Sequence, residues 1–207
     1  NGKSILGADP KSGLAVLLEL ARYIKEKKSI TSTIEFVFTR GEEAGLLGAK
    51  NLDYSLLKSK IGLVIDEDGP CTNVVVKAPG YYRVDGTVIG KTVHPRDWRE
   101  GINALFLASQ VISNLRQGEI VRGVTFNIGV LHAGTARNSL PGRAEFKSEL
   151  RSFNMKKLEK AGRFVEQSFR SLTKKNNGLK VTLMGGVEFK SFELKKWLEN
   201  NFELLQI

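Results

Sequence analysis

The order of the predicted secondary-structure elements constrains this chain most, because the pattern changes near residue 80. Before that point, apolar β-rich runs alternate with helical patterns. The alternation comprises a strand end at 4–8, a helix at about 11–28, a strand at 33–40, a helix from Ala44 onward and a strand at 61–67. Such alternation predicts a parallel sheet covered by helices. In these sheets functional groups gather just beyond the carboxyl ends of the strands.

From about residue 80 the order becomes β-α-β-β-α-β, which is the order of the ferredoxin-like split unit. The segments are strands at 81–91, 123–133, 143–153 and 179–189, with helices at 99–115 and 154–175. A last helical pattern covers 193–202. We therefore expect an α/β protein with two domains. Residues 1–79 and 189–207 would form a partial parallel-sheet domain, and residues 80–188 an inserted ferredoxin-like domain.

Composition narrows the function classes. The formal charge of +10 is compatible with a nucleic-acid partner. However, the basic residues are spread over predicted helix faces and loops and are not interleaved with aromatic residues, so solvated surfaces are the better interpretation. No apolar run approaches the roughly 20 residues of a membrane span. The single cysteine, Cys71, excludes an internal disulfide and fits a reducing compartment, which predicts a cytoplasmic protein.

Acidic residues follow each of the three predicted parallel strands. Asp9 follows the first, Glu42 and Glu43 the second, and Asp66, Glu67 and Asp68 the third. Each acid alone has a plain structural reading, since Asp followed by Pro10 favours a helix N-cap and acids suit the first turn of a helix. Three such clusters at consecutive strand ends favour convergence around a divalent cation, which relieves the repulsion between carboxylates.

Three motifs carry a resemblance to a known family. LGADPKSG, FTRGEEAG and VIDEDGP resemble metal-site motifs of the M20 family of di-metal peptidases and amidohydrolases, and the tripeptide-aminopeptidase-like (peptidase T-like) branch is the most similar. In the second domain, GKTVHP, GINAL, NIGVLHAGTARNSLP and ELRSF resemble the signatures of the family's lid. The motifs occur in the family's order and span nearly the whole chain.

The resemblance implies a role for each acid. Asp9 would bridge two zinc ions, with Mn or Co as possible substitutes, while Glu43 would bind one ion and Asp66 the other. Glu42 would be the general base for the bridging water. A bridging Asp9 is expected to have a cis bond to Pro10, whereas a plain cap is expected to have a trans bond.

The resemblance also implies roles in the lid. His94 would stabilise the tetrahedral oxyanion, reaching the active site of a partner subunit in a homodimer. Asn138 and Arg151 would hold the substrate backbone or carboxylate. The alternatives are an exposed His94 that caps the turn at Pro95, and an Arg151 that forms a strand-face ion pair with Glu149 or Glu145. His132 matches no family role and is interpreted as a strand residue.

Two departures from the family pattern matter. The family's metal-binding histidines lie upstream of the bridging Asp and near the C-terminus, whereas this sequence contains only His94 and His132. Because zinc sites usually include nitrogen or sulfur ligands, we expect the chain to be part of a longer protein and, alone, to bind zinc weakly without hydrolysing peptides. In addition, Pro10 replaces the family's second Asp, which removes a carboxylate that helps to orient the site.

The resemblance thus implies metal-dependent hydrolysis of an amide bond in short peptides by the intact protein. Two alternatives stay open. One is a non-catalytic dimerisation module, because the lid is the domain that the sequence contains in full. The other is an amidohydrolase that acts on N-acyl amino acids.

Overall fold

The computed structural model describes residues 3, 7, 9–27, 33–67, 69–70 and 73–194. It divides into a first unit, residues 1–75, and a second unit, residues 76–207. The predicted strand end at 4–8 and the predicted last helix at 193–202 lie largely outside the described residues. None of the described helices is long and apolar enough to cross a membrane.

Helix α1, Lys11–Lys27, is the longest element of the first unit and lies where the sequence predicts it. The helix predicted from Ala44 differs, because it consists of the short helix α2, Leu47–Lys50, and a 3-10 turn at Tyr54–Leu56. Asp53 separates the two pieces, since its carboxylate accepts a hydrogen bond from the Ser55 backbone N–H at 3.0 Å and so begins a new turn. Short side-chain acceptors of this kind compete with helix continuation.

The segments at 33–40 and 61–67, predicted as parallel strands, form no strand in the part of the chain that the structure describes. A strand is stabilised by its neighbours and by burial of its apolar side chains. Leu63 and Val64 are 85% and 90% exposed, and these two side chains therefore lack the burial that stabilises a strand. The described residues therefore do not form the parallel pairing expected for these two segments. The sheets that the structure describes in this α/β protein are antiparallel.

The second unit contains all six elements of its predicted order. They are β2 (Gly80–Ile89), α3 (Ala104–Asn114), β4 (Val124–Ala133), β5 (Arg143–Ser152), α4 (Met155–Lys175) and β6 (Lys180–Phe189). Three further strands were not predicted, namely β1 (Lys77–Ala78), β3 (Gly118–Val121) and β7 (Phe192–Glu193). Strands β1 and β7 pair with each other in a small antiparallel sheet.

The main sheet has the strand order β3-β4-β5-β2-β6 and is antiparallel throughout. Without β3 this is the order of a ferredoxin-like sheet, in which the first and third strands lie at the centre. Strand β3 forms a hairpin with β4 and extends the sheet at that edge. His132 lies within β4, which confirms its interpretation as a strand residue.

The two faces of the sheet differ because side chains alternate along each strand. On β5, every second residue is buried, namely Ala144, Phe146, Ser148, Leu150 and Ser152, while the alternate residues face outward. Helix α4 covers the buried face with a stripe at helical spacing, namely Leu158, Ala161, Val165, Phe169 and Leu172. The opposite face carries no described helix and is polar. We call it the open face, and Tyr81, Arg83, Asp85, Lys147, Glu149 and Arg151 lie on it.

Candidate active site

The loop at 41–46 holds Glu42 and Glu43 in a tight turn of the first unit. Gly41 and Gly45 adopt positive φ angles of 67° and 90°, which favour glycine because it has no Cβ. The Glu42 carbonyl accepts hydrogen bonds from the backbone N–H groups of Gly45 and Leu46, at 2.9 and 2.8 Å. The glycines of the GEEAG motif therefore have a structural role in presenting the two glutamates.

The structure brings Glu42 close to the other predicted acids. Partial desolvation raises the pKa of the Glu42 carboxyl above its ordinary range, and the negative charges of Glu43, Asp66 and Asp9 raise it further. These residues come from three separate segments, so only the fold makes them neighbours. We call Asp9, Glu42, Glu43 and Asp66 the carboxylate cluster.

Asp9 lies in the turn just before helix α1. The bond between Asp9 and Pro10 is cis. The first helical hydrogen bond runs from the Leu14 N–H to the Pro10 carbonyl at 3.0 Å. Gly13 allows the helix to approach the segment that carries Asp66, since a Cβ at this position would lie 2.5 Å from the Ile65 carbonyl oxygen. A glycine is thus required where α1 meets the chain next to Asp66.

The cluster alone does not form a complete metal site. Among the described residues, no three His, Cys, Asp or Glu side chains are placed so that they could hold a metal ion. The two histidines of the sequence, His94 and His132, both belong to the second unit. A zinc ion at this cluster would need further ligands, because carboxylates alone are an unusual donor set for zinc.

His94 lies in an exposed loop of the second unit. Its Nδ1 accepts a hydrogen bond from the Arg96 backbone N–H at 3.3 Å, so His94 caps the 3-10 helix at Pro95–Glu100. This is the turn-capping arrangement that the sequence left open as an alternative. It is compatible with a second role, since a neutral imidazole that accepts at Nδ1 carries its proton at Nε2 and can donate there.

Asn138 lies in the exposed loop at 134–142, next to the loop that carries His94. The backbone N–H of Leu140 donates to the Val93 carbonyl at 2.9 Å, and the N–H of Gly142 donates to the Thr92 hydroxyl at 3.1 Å. These bonds join the two loops at the same end of the sheet. His94 and Asn138 are therefore presented together.

Arg151 lies at the opposite end of β5. It pairs with Glu149 through two hydrogen bonds, which confirms one of the two ion pairs considered from sequence, whereas Glu145 pairs with Arg143. Eight residues separate Arg151 from Arg143, where the strand begins after the Asn138 loop. That corresponds to roughly 27 Å at about 3.4 Å per residue. Arg151 and the His94 loop therefore lie at opposite ends of the main sheet.

Sequence reasoning missed the aromatic neighbour of Arg151. The Arg151 guanidinium lies 5.3 Å from the centre of the Tyr81 ring, and Tyr81 is its direct partner in the register of β2 and β5. The alternation of β5 predicts which residues share its outward face, but not which residue of β2 lies opposite.

Comparison with known proteins gives the class of each unit. Residues 77–177 match the family model of the peptidase dimerisation domain of M20 type, and residues 7–78 match the model described as peptidase family M28. The second match contains all four acids of the carboxylate cluster.

Relatives and solved structures identify the family more narrowly. The YqjE protein of Bacillus subtilis (strain 168) is 39% identical over 160 residues, or 77% of this chain and 43% of its own length. Peptidase T of Escherichia coli (strain K12) is 26% identical over 160 residues, again 77% of this chain, and 38% of its own length. The crystal structure of a tripeptidase from Staphylococcus aureus matches with a TM-score of 0.81 and 32% identity, covering 99% of this chain and 56% of that one.

The crystal structure of aminopeptidase PepT from Bacillus cereus matches with a TM-score of 0.74 and 34% identity, over 93% of this chain and 52% of that one. The chain belongs to the M20 family of peptidases, in the peptidase T-like branch. It spans about two fifths of the length of the curated relatives it matches.

Proposed function

We propose that the full-length protein is a metal-dependent hydrolase that cleaves an amide bond near the end of a short peptide, in the manner of an aminopeptidase. The carboxylate cluster is the observation that carries this proposal, because folding brings three acids near enough to Glu42 for their negative charges to raise its pKa. The names of its relatives, peptidase T, tripeptidase and aminopeptidase PepT, support a peptide substrate.

In this proposal Asp9, Glu43 and Asp66 hold two zinc ions together with ligands beyond the described residues, and Mn or Co could replace zinc. Asp9 would contribute to the binding of both ions. Bound ions of this kind polarise the scissile carbonyl and lower the pKa of water. The positive charge also offsets the repulsion that now raises the pKa of Glu42.

Glu42 is proposed as the general base. A carboxylate that lies beside the ions without binding them is suited to accept a proton from the attacking water. Glu42 would accept the proton of the attacking water and pass it to the leaving amine. This role leaves Glu43, its neighbour in the sequence, to bind metal.

The second unit would complete the site across a homodimer. We assign residues 80–188 to the lid and dimerisation domain, and residues 1–79 with 189–207 to the catalytic domain. The roughly 27 Å of strand between Arg151 and the end that carries Asn138 supports a site assembled from two subunits. One subunit would supply Arg151 for the substrate backbone or carboxylate, and its partner would supply Asn138 and the Nε2 donor of His94 for the oxyanion.

A hydrolysis panel on the full-length protein tests the enzyme proposal. The panel contains tripeptides, dipeptides and N-acyl amino acids, each with added zinc, manganese or cobalt. We expect turnover of short peptides, and a Glu42→Gln variant should lose about 10²–10⁴-fold in kcat while keeping its metal content. Persistent turnover in that variant would show that Glu42 is not the base.

The 207-residue chain alone is proposed to be inactive. We expect weak zinc binding, because the described donors do not form a complete site. Metal analysis of the purified chain checks this, and about two tightly held zinc ions per chain would contradict it.

A non-catalytic dimerisation module is the second candidate. It is favoured by one observation, which is that the buried hydrophobic core of the described residues runs from Tyr82 to Leu179. A full-length protein that is dimeric yet inactive with every metal in the panel would support this candidate. Hydrolysis confined to N-acyl amino acids would instead indicate an amidohydrolase.

We further propose a cytoplasmic location and no nucleic-acid partner, and filter binding to DNA and RNA at low salt tests the absence of a nucleic-acid partner.

A further inference from the structure

The side chain of Glu35 connects two segments of the first unit. Its carboxylate accepts a hydrogen bond from the backbone N–H of Lys58 at 3.0 Å and one from that of Ser59 at 2.6 Å. The Ser59 side chain donates to the same carboxylate, and these bonds together lower the pKa of Glu35. No backbone–backbone hydrogen bond runs between the described segments 33–40 and 58–67. Glu35 therefore makes the connection that a strand ladder makes elsewhere.

Both segments lead to the carboxylate cluster over equal lengths of chain. Glu42 is the seventh residue after Glu35, and Asp66 is the seventh residue after Ser59. At the far end the segments are neighbours again, because the negative charge of Asp66 raises the pKa of Glu42. The two segments therefore run in the same direction from the Glu35 bonds to the cluster.

A slip between the two segments would disturb the cluster. One residue of extended chain measures about 3.3 Å, whereas a bond between zinc and a carboxylate oxygen measures about 2.0–2.2 Å. A shift by one residue would thus move Asp66, relative to the glutamates of GEEAG, by more than the length of such a bond. Glu35 opposes this shift, because the consecutive N–H groups of Lys58 and Ser59 both donate to its carboxylate.

A different contact places the third segment of the cluster. A Cβ at Gly13 would lie 2.5 Å from the Ile65 carbonyl oxygen, so α1 lies against the segment that carries Asp66. Glu35 connects that same segment to the one that carries the GEEAG motif. One steric contact and one hydrogen-bonded contact thus link all three segments of the cluster.

We propose that Glu35 is a positioning residue of the carboxylate cluster. Its bonds set the register between the two segments, and that register brings Asp66 beside the glutamates of GEEAG. This inference rests on the proposed function and adds to it a residue outside the three metal-site motifs. In this role Glu35 contacts neither metal nor substrate, and it acts through the ligands that it aligns. Changing a residue that orients metal ligands typically costs about 10–100-fold in metal affinity or activity.

Three substitutions of Glu35 in the full-length protein separate hydrogen bonding from charge. Glu35→Leu removes both acceptor oxygens, Glu35→Asp keeps the charge but shortens the side chain, and Glu35→Gln keeps the length and one acceptor oxygen. We expect Glu35→Leu and Glu35→Asp to weaken the binding of cobalt(II) and zinc about tenfold, and Glu35→Gln to remain close to the wild type. The reverse order of Glu35→Asp and Glu35→Gln would show that charge alone acts, and would overturn the inference.

Three measurements follow these variants. Competition with a chromophoric chelator gives the metal affinity, and the visible absorption spectrum of bound cobalt(II) reports the ligand geometry. Hydrogen exchange of the Lys58 and Ser59 amides in the metal-free protein reports the Glu35 bonds directly. We expect this exchange to be faster in Glu35→Leu and Glu35→Asp, but not in Glu35→Gln. With a tripeptide substrate and saturating metal, kcat should fall about tenfold in the same two variants with little change in KM.

Asp53 provides a matched control in the same unit. Its carboxylate accepts a backbone N–H from Ser55 at 3.0 Å, and the Ser55 hydroxyl donates to it at 2.6 Å. These bonds are of the same kind as those of Glu35, but they lie within one turn and connect no separate segments. Asp53→Leu should therefore lower the urea midpoint of unfolding about as much as Glu35→Leu, while leaving metal affinity and the cobalt spectrum unchanged.

The outcomes distinguish this inference from the hydrolase proposal. A wild type that binds metal but hydrolyses no peptide would overturn the hydrolase proposal, and the order of metal affinities among the variants would still decide the role of Glu35. Wild-type metal affinity and kcat in Glu35→Leu would overturn the inference and leave the hydrolase proposal standing. An equal loss of affinity in Asp53→Leu would also overturn it, since general destabilisation would then explain the effect. A wild type that holds no metal would overturn both proposals.

Discussion

The two units of this chain differ in what their apolar side chains contact. In the second unit, strands and helices share a core that includes Val84, Phe146 and Phe169, all at most 1% exposed. In the first unit, Gly13 is the one buried residue among those described, while Leu63 and Val64 project from an extended segment. The second unit is thus stabilised by its own core, whereas the described part of the first unit is organised by turns, by backbone hydrogen bonds and by the approach of α1 to Ile65.

The candidate active site does not lie in the more strongly packed unit. The carboxylate cluster belongs to the first unit, where a few glycines place the acids. The rigid sheet of the second unit instead carries residues proposed to bind substrate. Each of the following predictions tests this contrast.

Large-to-small substitutions should separate the two units most clearly. Phe169 stacks on Phe146 with ring centres 4.0 Å apart, so Phe169→Ala should lower the free energy of unfolding by about 3–5 kcal/mol. Val64→Ala should change it by less than about 0.5 kcal/mol, because the side chain is exposed. Urea unfolding followed by circular dichroism measures both. A cost above about 2 kcal/mol for Val64→Ala would mean that this segment is buried in the native protein.

A smaller effect is expected at the contact between α4 and β2. A Cβ at Gly162 would lie 2.5 Å from the Tyr82 ring. Gly162→Ala should therefore destabilise the protein by about 1–2 kcal/mol, since overpacking outweighs the gain of about 1 kcal/mol in helix propensity. In a Tyr82→Leu background the same change should be neutral or stabilising. A similar cost in both backgrounds would assign the strain to another contact.

The smallest expected effect concerns the pH dependence of the second unit. Burial, together with the hydrogen bond from Tyr82 to Glu166 at 2.7 Å, raises the pKa of Tyr82 to about 12. In the unfolded chain the phenol ionises near pH 10. The stabilisation is therefore fully present below pH 10 and is lost as the pH rises through 12.

Comparison with Tyr82→Phe isolates this contribution. Between pH 9 and 11, the wild type should lose about 1 kcal/mol of unfolding free energy relative to the variant. Equilibrium unfolding at the two pH values measures the difference, in which other titrating groups cancel. Parallel curves for the two proteins would contradict the assigned pKa.

The sequence predicted the second unit well because its signals are local and repeated. Period-two alternation identified β5, and apolar residues at every third or fourth position identified α3. Strand β3 was missed because GEIV is short, and only its pairing with β4 makes it a strand. In the first unit, the same β-rich signals predicted strands at 33–40 and 61–67, but strand formation requires partners that a local pattern does not contain.

The candidate site divides in the same way. The sequence by itself identified the candidate site residues, because the acids that follow apolar runs and the motifs around Asp9, Glu42 and Asp66 can be read without the structure. Only the tertiary structure decided their neighbours. The fold brings three acids near Glu42 and joins the loops that carry His94 and Asn138 by hydrogen bonds. It also pairs Arg151 with Glu149. The physical reason is that electrostatic and hydrogen-bond partners depend on distances of a few ångströms between segments far apart in the chain, which strand register and helix packing set.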